Sequence, residues 1–196
     1  FVVESNPGKI KILRDTNNDG ISDINQVFAE GFNYPFGIEI TPEYLYIADL
    51  NYVWRIPYKE GQLKNDSEPI KLTKEDALGD PTGHITRNIA LLNDKIYIAI
   101  GSYGNIGVED YPRATIQEFD LKTNEQKTFA TGLRNPVGLD VHPVTKKLYT
   151  VVNERDGMGD DLVPDYFSQV EEGDFFGWPF FYLGKNEQPN LEKNYF

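Results

Sequence analysis

"IYIAI", from Ile96 to Ile100, is an apolar run with two relatives in this chain: "LYIAD" from Leu45 to Asp49 and "LYTVV" from Leu148 to Val152. The three recur about every 50 residues, a fixed period that marks a repeated structural unit. Upstream, "FVVES" at Phe1 aligns with "YIADL" at Tyr46. An alternating run precedes each of the three: "GIEIT" from Gly37, "NIALL" from Asn88 and "GLDVH" from Gly138. Further strand-like runs follow, "YVWRIPY" then "PIKLT", and "ATIQEFD" then "QKTFAT". Four short strands at a fixed period, divided by turn residues, are the signature of a β-propeller blade. A β-sandwich also contains many short strands, but it does not call for one motif at a constant step.

The expected fold is all-β, a β-propeller of four-stranded antiparallel blades. The chain should open in the second strand of one blade, run through two complete blades and stop shortly after the second strand of the next. That is about three and a half blades, fewer than the roughly 4 to 8 of a closed ring. Residues 1–196 are thus expected to form part of a single propeller domain, with Phe1 to Ser5 paired against "KIKILRD".

Composition narrows the function classes. With 39% hydrophobic and 13% aromatic residues among 196, the chain can build a core. A net charge of -12 argues against nucleic-acid or anionic-membrane partners, which require clustered Lys and Arg. No apolar run approaches the ~20 residues of a membrane span. There is no cysteine, so neither a disulfide framework nor a thiolate metal site is available. Phe1 lacks the basic start and apolar stretch of a signal peptide, so any leader is expected to have been removed or to lie outside this sequence.

The repeat also locates candidate chemistry. "GFNYPFGIEITP" (Gly31–Pro42) and "GLRNPVGLDVHP" (Gly132–Pro143) share glycines, a proline and apolar positions, yet exchange Asn33-Tyr34 for Arg134-Asn135. Aligning the middle repeat on "IYIAI" puts Asn88 level with Gly37 and Gly138, and His84 level with Asn33 and Arg134. Three different polar residues therefore share one position, in the loop entering the innermost strand at the mouth of the central channel. Backbone turns require the retained residues, whereas the exchanged ones are free for chemistry. In an antiparallel meander, the loop entering the first strand and the loop joining the second to the third lie on one face. Ser102 and Asn105, and Glu154, Asp156, Gly157, Asp160 and Asp161, fall in such loops and share that face. A histidine there can accept a proton near neutral pH, and an arginine can stabilise a developing oxyanion. The plainer readings are a loop-bonding role for His84, pairing of Arg134 with Glu154, and a solvated loop at Asp160 and Asp161. His142 aligns with Thr41 beside the same proline and reads as structural.

"GHITRN", "IGSYGN", "GLRNPVGL", "NERDGMGDDLVPD" and "GWPF" occur in the order seen in the glucose/sorbosone dehydrogenases, and between Gly83 and Phe180 the chain resembles that family well. These are six-bladed propellers that use pyrroloquinoline quinone (PQQ) with calcium. The resemblance implies a PQQ- and calcium-dependent sugar, aldose or sorbosone dehydrogenase, periplasmic or secreted, with an electron acceptor as a further partner. By the resemblance, His84 is the base that removes the substrate hydroxyl proton while hydride passes to the quinone. Arg134 is poised over the reacting quinone oxygen with Asn135 beside it, and Asn33 contacts substrate. Ser102 and Asn105 fall among the cofactor contacts, and backbone carbonyls of Asp156 and Gly157 hold the quinone's calcium. This chain departs from the family's usual Gly-Pro at the calcium position, and Ser102 stands where the family has an acidic residue.

"DTNNDGISD" is a separate signal. Asp15, Asn17, Asp19 and Asp23, with Gly20 at the bend, have the spacing of an EF-hand-like loop for a structural calcium, although Gln26 replaces the terminal Glu. The alternative is a hairpin built on the Asp-Gly turn. Either way the loop belongs to the face opposite His84. Two other function classes remain open, a metal-dependent lactonase-type propeller hydrolase and a non-catalytic carbohydrate- or protein-binding propeller.

Overall fold

The structure is a computed structural model that describes residues 1–191. Its regular elements are strands: β1 (Val2–Glu4), β2 (Lys9–Arg14), β3 (Ile24–Glu30), β4 (Gly37–Ile40), β5 (Tyr44–Ala48), β6 (Val53–Pro57), β7 (Ile70–Lys71), β8 (Ile89–Leu92), β9 (Lys95–Ile100), β10 (Thr115–Asp120), β11 (Gln126–Thr131), β12 (Asn135–Val141), β13 (Leu148–Asn153), β14 (Tyr166–Val170), β15 (Phe181–Tyr182) and β16 (Asn186–Glu187). They make four antiparallel meanders, β1–β3, β4–β7, β8–β11 and β12–β14, followed by the hairpin β15–β16. Among the described residues no helix is long and apolar enough to cross a membrane.

The repeated apolar runs are the second strands of the complete sheets, and their burial explains their composition. Side chains alternate across a strand. Leu45 and Ile47 of β5 pack with Ile10, Ile12 and Phe28 of the first sheet, whereas Tyr46 and Ala48 pack with Ile89, Ile96 and Ile98 of the third. Strand β9 repeats the pattern, with Ile96, Ile98 and Ile100 turned to the second sheet and Tyr97 and Ala99 to Leu139, Leu148 and Val152 of the fourth. A strand covered on both faces has no outward position for polar residues and so reads as a continuous apolar run. Each such buried Ile or Leu is worth about 1.5–3 kcal/mol over its exposed form. The four sheets stack face to face in chain order as a result.

Stacking brings the first strands β4, β8 and β12 together. The Gly37 amide donates to the Arg87 carbonyl at 2.9 Å, and Asn88 Nδ2 donates to the Val137 carbonyl at 3.2 Å. A Cβ on Gly37 would lie 2.5 Å from Arg87 O and 2.8 Å from the Ile89 nitrogen. The glycine is therefore required by the close approach of two sheets at their inner edges. In each of three sheets the loop entering the first strand bonds the end of the second strand or the loop after it: Asn33 with Asn51, His84 with Ser102, and Arg134 with the Asn153 carbonyl. The shared face read from the meander topology is present.

Strand β1 pairs with β2 as expected, Val2 opposite Lys11. The last sheet departs from expectation. It does not stop after its second strand but continues into β14, which pairs with β13 through Leu148 opposite Val170. This strand was hidden because only one of its faces is covered: Val170 joins the core while Phe167 is exposed. The segment that follows lies along β11, with the Gly173 amide on the Phe129 carbonyl and the Phe176 amide on the Thr131 carbonyl.

Glu39 on β4 and Asp140 on β12 hold equivalent repeat positions on inner strands that flank β8. Burial first, and then the like charge of Asp140, push the Glu39 carboxyl from its ordinary 4.5 up to about 7, against backbone N–H bonds from Leu91 and Ile40. An acid whose pKa rises on folding stabilises the fold while protonated. That contribution is complete below about pH 4.5 and is lost as pH climbs through about 7. Urea midpoints should therefore fall across this window, and Glu39→Gln should flatten the fall and raise the midpoint above pH 7. Parallel profiles for the two proteins would refute the assignment.

Candidate active site

His84 lies in the connection entering β8. Its backbone N–H and its Nδ1 both approach the Ser102 carbonyl, at 3.1 and 2.8 Å, and Nδ1 lies 3.1 Å from Ser102 Oγ. The Ser102 hydroxyl donates its hydrogen to the Gly104 carbonyl at 2.6 Å. Both Ser102 oxygens consequently face Nδ1 as acceptors, so Nδ1 carries the ring hydrogen and Nε2 keeps its lone pair. Burial lowers the imidazole pKa from the ordinary 6.5. The Ser102 carbonyl bond opposes this, Arg134 lowers it further, Glu109 raises it and Arg113 lowers it. The net downward shift leaves the ring neutral at pH 7, and a neutral imidazole with a bare Nε2 is a proton acceptor.

Arg134 stands at the same end, 6% exposed. Its Nε donates to the Asn105 carbonyl at 3.2 Å and its Nη1 to the Asn153 carbonyl at 3.3 Å, while Nη2 lies 3.6 Å from Asp156 Oδ2. Two carbonyls thus aim the guanidinium, and the Asp156 carboxylate, 88% exposed side chain, adds little Coulomb energy through water. The Arg134 carbonyl also accepts the Ser102 amide at 2.6 Å, tying the guanidinium's loop to the histidine's support. Asn135 is 9% exposed and its Oδ1 has no hydrogen-bond partner. A buried acceptor left open costs about 1–3 kcal/mol, and this one is sealed against the Gly101 backbone. Gly101 permits this arrangement, since a Cβ there would sit 2.6 Å from Asn135 Oδ1 and 2.7 Å from His84 Cβ.

Asn105 bridges the two loops. Its Nδ2 donates to the Asp156 carbonyl at 2.9 Å, and its Oδ1 accepts the Asp156 amide at 2.9 Å. Its own carbonyl accepts Trp178 Nε1 at 3.0 Å as well as Arg134 Nε. His84, Ser102, Asn105, Arg134, Asn135 and Asp156 are therefore one connected cluster, with Gly157 adjacent and exposed. Asn33 occupies the equivalent place on the second sheet, where its amide donates to Asn51 Oδ1 at 2.6 Å. Asp160 and Asp161 are exposed in the loop before β14.

In the Asp15 loop the carboxylates are turned onto their own backbone. Asp15 accepts amides of Asn17, Asn18, Asp19 and Gly20, and Asp23 accepts the Thr16 amide and hydroxyl. These bonds hold both carboxyls below the usual carboxylate range, led by Gly20 for Asp15 and by the Thr16 hydroxyl for Asp23. Among the described residues no three of His, Cys, Asp or Glu are grouped to hold a metal ion. His142 serves its own turn, its Nδ1 accepting the Val144 and Thr145 amides at 3.2 and 3.1 Å.

Sequence reasoning missed Glu109, Arg113 and Trp178. Glu109 and Arg113 lie in the long irregular β9–β10 connection, outside the positions aligned between repeats, and Arg113 and Trp178 bond to backbone carbonyls, which have no sequence signature.

A family profile described as TrAA12-like matches residues 1–172. A protein of Borreliella burgdorferi described as uncharacterized is 36% identical over 97 residues, 49% of this chain and 25% of that protein. The calcium structure of a Trichoderma reesei carbohydrate-active enzyme of family AA12 superposes with a TM-score of 0.74 at 18% identity, over 89% of this chain and 52% of that one. The PQQ-bound aldose sugar dehydrogenase of Streptomyces coelicolor superposes with a TM-score of 0.65 at 18% identity, over 93% of this chain and 61% of that one. The fold is thus the propeller-like one shared with these structures. The chain spans about half the length of the AA12 structure and a quarter of the Borreliella protein.

Two outcomes test this geometry. The histidines should be opposite tautomers, His84 protonated on Nδ1 and His142 on Nε2, which ¹⁵N imidazole shifts above pH 7 resolve; like tautomers would contradict the bonds at Ser102. Gly101→Ala should displace both His84 and Asn135 and cost about 1–3 kcal/mol of stability by overpacking, read as a lowered urea midpoint.

Proposed function

The chain belongs to the TrAA12-like family, and on that premise we propose that it carries the active-site half of a PQQ- and calcium-dependent dehydrogenase that oxidises a sugar, aldose or sorbosone-like substrate. The observation that carries this reading is a neutral imidazole with a bare Nε2, joined in one cluster to a buried guanidinium. The donor set suits PQQ, a planar anionic quinone. Arg134 offers a fixed, buried cation for its anionic oxygens. The bound quinone would supply the hydride acceptor that no side chain can provide. The Asp156 carboxylate and the Asp156 and Gly157 carbonyls are this chain's oxygen donors for calcium. Ser102 and Asn105 brace the cofactor pocket from behind.

In the proposed reaction His84 Nε2 takes the proton of the substrate hydroxyl. The Nδ1–H bond to the Ser102 carbonyl strengthens as the ring becomes cationic, which holds the imidazole in line. Arg134 stabilises negative charge developing beside it, in a site where burial makes that interaction stronger than in water. Asn33, exposed on the neighbouring sheet at the same end, is the proposed polar contact to substrate. The two electrons pass on to a separate acceptor, and the enzyme is proposed to act in the periplasm or outside the cell. The Asp15 loop is proposed as a structural calcium site remote from the chemistry.

Dye reduction by the protein should require PQQ, calcium and an aldose together, and no change in quinone absorbance on titration with PQQ and calcium would overturn the proposal. His84→Ala should lower kcat by about 10²- to 10⁴-fold while the PQQ titration endpoint stays put. A matching loss of PQQ binding would instead make His84 a cofactor ligand. His142→Asn should leave turnover nearly unchanged.

A further inference from the structure

Two buried arginines surround the His84 loop, and neither forms an ion pair with a carboxylate among the described residues. Arg87 is fully buried and its Nη1 donates to the His84 carbonyl at 2.8 Å and the Thr86 carbonyl at 3.1 Å. Arg113, 9% exposed at the end of the β9–β10 connection, sends Nη1 to the Gly101 carbonyl at 3.1 Å. Its Nη2 reaches the carbonyls of Asp80 and Thr82, both at 2.5 Å. One planar fork therefore joins the segment leading into His84 to Gly101, the residue whose missing side chain leaves room for His84 Cβ. On the other side, Glu109 accepts the Tyr103 amide at 2.6 Å and the Gly104 amide at 2.7 Å. Gly104 in turn accepts the Ser102 hydroxyl, whose oxygen faces His84 Nδ1.

We propose that Arg113 is the positioning residue for His84, fixing the loop that carries the ring against Gly101, with Glu109 bracing the Ser102 side. The proposal rests on the reading of His84 as the proton acceptor. The geometry needs an arginine. Three acceptors from two chain segments lie around one guanidinium, whereas a lysine ammonium is a compact point charge without the rigid fork. Arg113 also contributes charge. The ionic groups acting on His84 are Arg134 and Arg113, which disfavour the imidazolium, and Glu109, which favours it. Arg113 thus helps keep the ring in its accepting form while holding it in place.

The test follows both histidines by ¹⁵N NMR in the full chain, with His142 as an internal reference, and measures PQQ-dependent turnover in parallel. In Arg113→Gln the His84 titration midpoint should rise, its preference for Nδ1–H should weaken, and His142 should not move. Arg113→Lys keeps the charge, so its midpoint should stay near the wild type. Its kcat should still fall about 10-fold or more with KM within about 2-fold, because misplacement of a reacting group by about 1 Å can cost 10²-fold. An unmoved midpoint and tautomer in Arg113→Gln overturn the proposal. Glu109→Gln leaves all three Arg113 bonds in place and carries the test if Arg113→Gln does not fold: the His84 midpoint should fall, and an unmoved midpoint again overturns the proposal. The NMR arm does not depend on the reaction. If the loaded protein oxidises no aldose while the imidazole still follows Arg113, the dehydrogenase reading fails and the positioning role stands.

Discussion

Strands β5 and β9 are buried on both faces, and this constraint propagates through the molecule. A strand with Leu and Ile on one side and Tyr and Ala on the other must find an apolar sheet on each side. Strands so enclosed cannot slip their pairing register, because a shift of one residue would turn each apolar set to the wrong neighbour. Their first strands then converge closely enough that Gly37 has no room for a side chain. That convergence gathers the entry loops of β8 and β12 and the loops after β9 and β13 at one end, where they build most of the cluster around His84, with Trp178 from the segment after β14 joining at the Asn105 carbonyl.

The chemistry of the cluster comes from asymmetry around one ring. Ser102 presents two acceptors to Nδ1 because its only hydrogen is already donated to Gly104, and this selects the tautomer. Two arginines and burial outweigh one glutamate and one carbonyl bond, which keeps the imidazole neutral. None of these arginines draws its orientation from a strong ion pair. Backbone carbonyls aim Arg87, Arg113 and Arg134, so the cationic charge is held rigidly, with Asp156 and Glu154 acting on Arg134 and Glu109 and Asp80 on Arg113. A fixed guanidinium beside a neutral base suits a reaction in which a proton leaves and negative charge develops.

Legibility followed the same physics. The second strands showed in the sequence because double burial removes polar residues, whereas β14, covered on one face after a polar loop, did not show. His84 and Arg134 stood out because they replace Asn33 at one position of an otherwise retained repeat. Glu109 and Arg113 did not, since they lie in a long irregular connection outside the positions aligned between repeats. His84 and His142 are chemically identical letters, yet one ring donates from Nδ1 to Ser102 and the other accepts at Nδ1 from its own turn.

The sequence alone determined the all-β class, the blade period, the sharing of one face by the loops and the candidacy of His84 and Arg134. Each of those depends on periodic burial or on topology, which a linear pattern records. Only the tertiary structure decided the tautomer of His84, the open acceptor on Asn135, the carbonyl cradles of the arginines and the balance of charge on the imidazole. Those depend on backbone oxygens and amides brought together from distant segments, and a backbone group is the same at every residue, so no arrangement of side-chain letters announces where it will be needed.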